Sequence, residues 1–262
     1  MPRLLLPAAL LALIAAPALA QTPAPAPETN MLDESCTPQA ATSYDPQRDW
    51  AWLCRYRIAN QALPGQRADI VFIGDSITEG WSRFAPALFT GGIVNRGISG
   101  QTSPQLLLRF MADVVALQPR VVHLMIGTND VAGNTGPTTP QAYQDNVRAM
   151  VTLAKANGIK VVLGSIPPAD RMNWRPELRP AARIAELNRW LKDFAARQQL
   201  TFADYHAVLS GPSGELRPEF GRDGVHPEAA GYAVMEPVTR AALAAALSQP
   251  APAPVPAAPA PR

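Results

Sequence analysis

Cysteine and histidine are scarce in this chain, two and three residues among 262. No His, Cys, Asp and Glu cluster has metal-ligand spacing, so no metal site is expected. Charge is also sparse: 17% of residues are charged and the net charge is +2. Without a basic run to follow a phosphate backbone, nucleic acid is not an expected partner. No glycine-rich phosphate loop occurs, and Gly-x-Ser-x-Gly is absent around Ser76, which sets aside the ordinary strained nucleophile elbow. No cofactor is expected. After the first twenty residues no apolar run could cross a bilayer, so stable membrane insertion is not expected.

What the chain does have is apolar side chains, 47% of its residues, enough for a sizeable core. Its 28 prolines crowd toward the two ends. Arg3, the Leu/Ala run from Leu4 to Ile14 and Ala18-Leu19-Ala20 read as a cleaved secretory signal over residues 1–20. Residues 21–44 read as a Pro/Ala-rich linker and N-terminal arm, and 249–262 as an extended Pro/Ala-rich tail. One domain is expected between them, over 45–248. Export to the periplasm or medium would let Cys36 and Cys54 pair. In the chain-entropy model such a bridge contributes on the order of 3 kcal/mol.

Short β-branched runs mark strands at Ile70–Ile73, Ile93–Val94, Arg120–Ile126, Ile159–Leu163 and Thr201–Ala203. Helical patterns are read over 49–63, 81–89, 104–117, 140–157, 180–199 and 227–247, with a loop over 167–180. Strands alternating with helices predict an α/β fold: a three-layer α/β/α sandwich on a central parallel sheet of about five strands. The polar clusters then follow strands one to three and gather at one sheet edge.

Four such clusters occur in order: Gly74-Asp75-Ser76, Asn95-Arg96-Gly97-Ile98-Ser99-Gly100, Gly127-Thr128-Asn129-Asp130, and Asp223-Gly224-Val225-His226-Pro227. Together they resemble the four sequence blocks of the SGNH, or GDSL, hydrolase family, over roughly 70–247. The residues are chemically sensible on their own terms. A serine hydroxyl needs a base to take its proton. His123 lies inside an apolar strand and reads as core. His206 follows the fifth strand with no visible tie to Ser76. His226 stands three residues after Asp223, a spacing that lets the carboxylate orient the imidazole. The same two residues could instead cap the helix that follows. The resemblance implies an acyl-enzyme on Ser76 and oxyanion donors at the Ser76 N–H, the Gly97 N–H and the Asn129 amide.

The resemblance implies a carboxylic ester hydrolase, with acetyl esters of carbohydrates as the first substrate expectation. Lysophospholipase, thioesterase and sugar O-acetyltransferase activities use the same site and stay open. So does a non-catalytic, carbohydrate-binding envelope domain. Candidate substrate contacts are Asp75, Trp174 and Arg175, the last two from the loop over 167–176, where Trp174 could stack on a sugar or pack beneath its own loop. Oligomeric state is not written in these patterns.

Overall fold

The computed structural model describes residues 36–250 and residue 252. The segment read as a secretory signal, most of the segment read as a linker and the end of the tail lie outside the described residues.

Five parallel strands form one sheet: β1 (Ile70–Gly74), β2 (Ile93–Gly97), β3 (Val121–Met125), β4 (Lys160–Gly164) and β5 (Thr201–Ala203). Their order is β2-β1-β3-β4-β5. The chain leaves β1 to one side and later returns to its other side. The crevice between β1 and β3 is therefore the topological switch point, where open α/β sheets take ligands.

Alternation along the strands feeds two cores. Val71, Ile73, Val122 and Leu124 face one layer. It is built from α4 (Ser103–Asp113), α6 (Pro140–Ala156) and α7 (Ala181–Gln198). Ile70, Phe72, Val121 and Met125 face the other. There lie α3 (Ser76–Phe84), α8 (Tyr205–Leu209) and α9 (Ala229–Ser248). Trp81 on α3 is wholly buried, edge-on to Phe72 at 5.5 Å between centroids. His123 stacks on Phe72 at 4.4 Å, and its Nε2 meets the Tyr205 hydroxyl at 2.7 Å. Burial pushes its pKa down to about 3, so it sits in the core as a neutral ring.

Two helices differ from expectation. The one predicted over 49–63 shrinks to α2, Arg57–Gln61. The Asp49 carboxylate accepts the N–H groups of Leu53 and Cys54 at 2.7 and 2.9 Å, and Trp52 turns to φ 52°, which no α-helix accommodates. The helix predicted over 81–89 begins at Ser76, five residues earlier, because Asp75 caps it. Three short helices were not foreseen: α5 (Thr128–Ala132), α8 and, inside the segment read as linker and arm, α1 (Pro38–Thr42). Before them all, α1 is tied down by a disulfide between Cys36 and Cys54.

A buried cation joins β1, α4 and the loop after β2. Arg109 on α4 is fully buried. It donates to the Gly74 carbonyl at 3.0 Å, to Gln101 Oε1 at 2.6 Å and to Asp113 Oδ2 at 3.0 Å. Truncating one member of a buried ion pair strands the other charge, at a cost of about 3–5 kcal/mol. Arg109→Ala should therefore lower the melting temperature by roughly 6–20 °C in thermal unfolding. A shift within 2 °C would mean that water or Asn60 replaces the guanidinium.

Candidate active site

Strand β1 ends at Gly74 because no side chain fits there. A Cβ would stand 2.1 Å from Thr78 Oγ1 and 2.3 Å from the Met125 carbonyl. The chain then turns through Asp75, whose Oδ1 accepts the Ile77 N–H at 3.0 Å and caps α3. Ser76 is thus the first residue of that helix, at the C-terminal edge of the sheet.

On the far side of the edge, the turn before α9 carries Asp223 and His226, with Gly224 between them at φ 82°. Asp223 Oδ1 accepts the N–H groups of Val225 and His226 at 2.9 and 2.8 Å. Its Oδ2 meets His226 Nδ1 at 2.6 Å, and His226 Nε2 meets Ser76 Oγ at 2.9 Å. Partial burial pushes the Asp223 carboxyl up, but the His226 N–H, its imidazole and the Val225 N–H outweigh that and hold it below its usual value. An ionised Asp223 keeps the proton on Nδ1 and leaves Nε2 free to accept from the serine. The alternative reading of Asp223 as a simple helix cap does not describe these contacts.

The remaining candidates divide. Gly97 must be corrected: its N–H already donates to Asn95 Oδ1 at 2.8 Å, and its carbonyl accepts from the Tyr56 hydroxyl. Its lack of a side chain serves close packing instead, since a Cβ would lie 2.2 Å from the Glu79 nitrogen. Gly100, three residues on, is exposed at φ 80° with open space around it. Its N–H has no partner among the described residues. That difference was hidden in Asn-Arg-Gly-Ile-Ser-Gly, although Asn two residues before a glycine is a known signal for a side-chain turn.

Asn129, the second residue of α5, is almost fully buried. Its Nδ2 donates to the Gln101 carbonyl at 3.1 Å, which leaves one amide hydrogen uncommitted. Its Oδ1 accepts from Asn134 Nδ2 at 2.7 Å, and Asn134 Oδ1 in turn accepts from Trp174 Nε1 at 3.0 Å. The Trp174 ring is 41% exposed and its centroid is 6.2 Å from that of His226. Arg175 is spent on structure, with contacts to Glu177 Oε1 at 2.7 Å and the Ala132 carbonyl at 2.8 Å. Asp75 is also corrected: it is 2% exposed and faces its own helix, closed to any substrate.

A parallel α/β sheet with a hydrogen-bonded Ser–His–Asp line at its C-terminal edge defines a class of proteins equipped for acyl transfer through a serine. The model of the GDSL-like Lipase/Acylhydrolase family matches residues 72–234. The chain belongs to that family, the carboxylic ester hydrolases of GDSL or SGNH type. A GDSL-like lipase structure from Bacteroides thetaiotaomicron is 41% identical, with TM-score 0.72, covering 75% of this chain and 99% of that one. An acetylxylan esterase of Geobacillus stearothermophilus is 28% identical over 204 residues, 65% of this chain and 91% of that protein. The lipoprotein YqeF of Bacillus subtilis is 30% identical over 128 residues, 42% of this chain and about half, 53%, of that protein.

Electrostatics beside the serine make one prediction. Burial pushes the Asp75 carboxyl up to about 7, against the opposing pull of the Ile77 N–H and His226. The unfolded chain releases this proton near 3.8. Between those values the folded state binds more protons, so the group's contribution to stability falls as pH rises from 4 to 7. The gap converts to ~4 kcal/mol at most, fully expressed above pH 7. Asp75→Asn keeps the cap without the charge. Calorimetry should show it more stable than wild type at pH 8, with the advantage gone by pH 4. Parallel pH profiles for the two proteins would refute the buried-carboxyl account.

Proposed function

We propose that the chain is an exported esterase that removes short acyl groups, chiefly acetyl, from carbohydrates. One observation carries the chemistry: the Ser76 hydroxyl lies in hydrogen-bond reach of an imidazole whose other nitrogen is held by a carboxylate. Ser76 Oγ attacks the ester carbon while its proton passes to His226 Nε2. The new imidazolium is stabilised by Asp223. The oxyanion is met by the Ser76 N–H at the start of α3, by the free Gly100 N–H, and by the second hydrogen of the Asn129 amide, each worth about 3–4 kcal/mol. His226 gives its proton to the departing sugar oxygen, and the acyl group stays on Ser76. A water then repeats the sequence: its oxygen bonds to the acyl carbon while its proton goes to His226 Nε2, and the Ser76–acyl bond breaks as His226 returns that proton to Ser76 Oγ, releasing the carboxylic acid.

The acetyl preference is supported by the loops that surround the serine. Those after β1, β2 and β3 are short and polar or glycine-rich, and none supplies an apolar channel for a fatty chain. The similarity to an acetylxylan esterase points the same way. Export is supported by the signal-like N-terminal sequence and by the Cys36–Cys54 disulfide. No helix among the described residues is long and apolar enough to cross a membrane.

The test is a series of aryl esters of increasing acyl length. Each further methylene is worth ~0.8 kcal/mol only where apolar walls receive it. We expect kcat/KM to be highest for acetyl, lower by butyryl and close to nil for octanoyl. Faster cleavage of octanoyl than acetyl esters would replace the carbohydrate reading with a lipid or thioester substrate.

A further inference from the structure

Six large hydrophobic side chains stand exposed among the described residues, and three of them, Tyr44, Trp50 and Trp174, line one cavity. Scattered apolar exposure is ordinary, but this clustering is not. The cavity holds about 470 Å³ and is also walled by Trp52 and Asn134. No Asp, Glu, Lys, Arg or His lines it. Aromatic faces interspersed with amides and hydroxyls, and free of charge, suit a neutral polyhydroxylated ring. They do not suit a phosphate, carboxylate or ammonium head group, which would be left without a counter-charge.

Much of this wall comes from outside the sandwich, from the arm closed by Cys36 and Cys54. Tyr44 and Trp52 stack at 4.9 Å, and Trp52 Nε1 donates to the Ala40 carbonyl at 2.9 Å. Gln105 on α4 donates to the Trp50 carbonyl at 2.6 Å and to the Tyr44 hydroxyl at 3.1 Å. The arm is also locked to the reaction site. Gln101 Nε2 donates to the Ala51 carbonyl at 2.7 Å, while the Gln101 carbonyl receives the Asn129 amide. Trp174, beside His226, lines the same cavity.

We infer that the disulfide-closed arm forms a saccharide subsite, whose aromatic wall of Tyr44 and Trp50 lines one cavity with Trp174 and holds the neutral sugar that carries the ester. This rests on the proposed carbohydrate-esterase function and adds the residues that select the sugar. Ring stacking on an exposed indole is worth about tenfold in affinity.

The test compares acetylated xylo-oligosaccharides with 4-nitrophenyl acetate, which has no sugar to stack. For Trp50→Ala, the ratio of kcat/KM for saccharide over aryl acetate should fall roughly tenfold, mainly through KM, and Trp50→Phe should recover most of it. A Cys36→Ser, Cys54→Ser protein, checked by its melting curve, should lower the same ratio because the wall loses its tether. If wild type cleaves the saccharides and neither the Trp50 variants nor the cysteine variant changes the ratio, the subsite is wrong and the esterase reading stands. If wild type cleaves the aryl acetate and no acetylated saccharide, the substrate reading fails and the subsite with it.

Discussion

Everything at the reaction edge depends on how closely α3 approaches the ends of β1 and β2. A methyl group at Gly74 would overlap Thr78 and the Met125 carbonyl, and one at Gly97 would overlap the backbone of Glu79. The clashes with the Met125 carbonyl and the Glu79 backbone are with atoms that cannot move aside as a flexible side chain can. Because both glycines permit the approach, α3 starts at Ser76 directly on the sheet rim. Arg109 then secures the same point from below by bonding the Gly74 carbonyl.

The two sides of the site are supported differently. The serine is placed by packing: Trp81 is sealed against Phe72 and His123, and Tyr232 donates to the Ile77 carbonyl at 2.7 Å. Trp81 and Glu79 therefore serve structure, Glu79 by its contact with Arg55 at 3.3 Å. The base is placed by polar contacts in a half-exposed turn, with Asp223 gathering two N–H groups and an imidazole. A half-exposed histidine can exchange protons with water and substrate, while the buried His123 cannot. That contrast separates two histidines of the same chain by environment alone.

Much of this was legible in the sequence, for physical reasons that can be named. Buried parallel strands announce themselves as β-branched runs, and Thr201–Ala203 was read to the residue. Ser76 stands at a strand end and Asp223 and His226 just before a helix, and they were legible as one set through the resemblance of the four ordered clusters, since Asp223 and His226 alone read equally as a helix cap. What was not legible depends on a side chain folding back on its own backbone. Asp49 replaces a predicted helix by capturing two N–H groups, and Asp75 starts α3 early by capturing one. Asn95 decides that Gly97 packs and Gly100 stays free. The one signal for this was Asn95 two residues before Gly97, which favours a side-chain turn there and so leaves Gly100 as the glycine with its N–H open. The aromatic cavity was hidden for a different reason: Tyr44 and Trp50 come to line one cavity with Trp174 only across more than a hundred residues of chain.

The central claim is that Ser76 is the nucleophile, activated by His226. A fluorophosphonate probe tests this most directly, because it reacts fastest with a serine whose proton a neighbouring base can take. Intact mass spectrometry of the treated protein should show one adduct, mapped to the peptide containing Ser76, with ester hydrolysis lost in proportion and labelling strongly slowed in His226→Ala. An adduct on another residue, or full hydrolytic activity in protein whose Ser76 is fully labelled, would contradict the account.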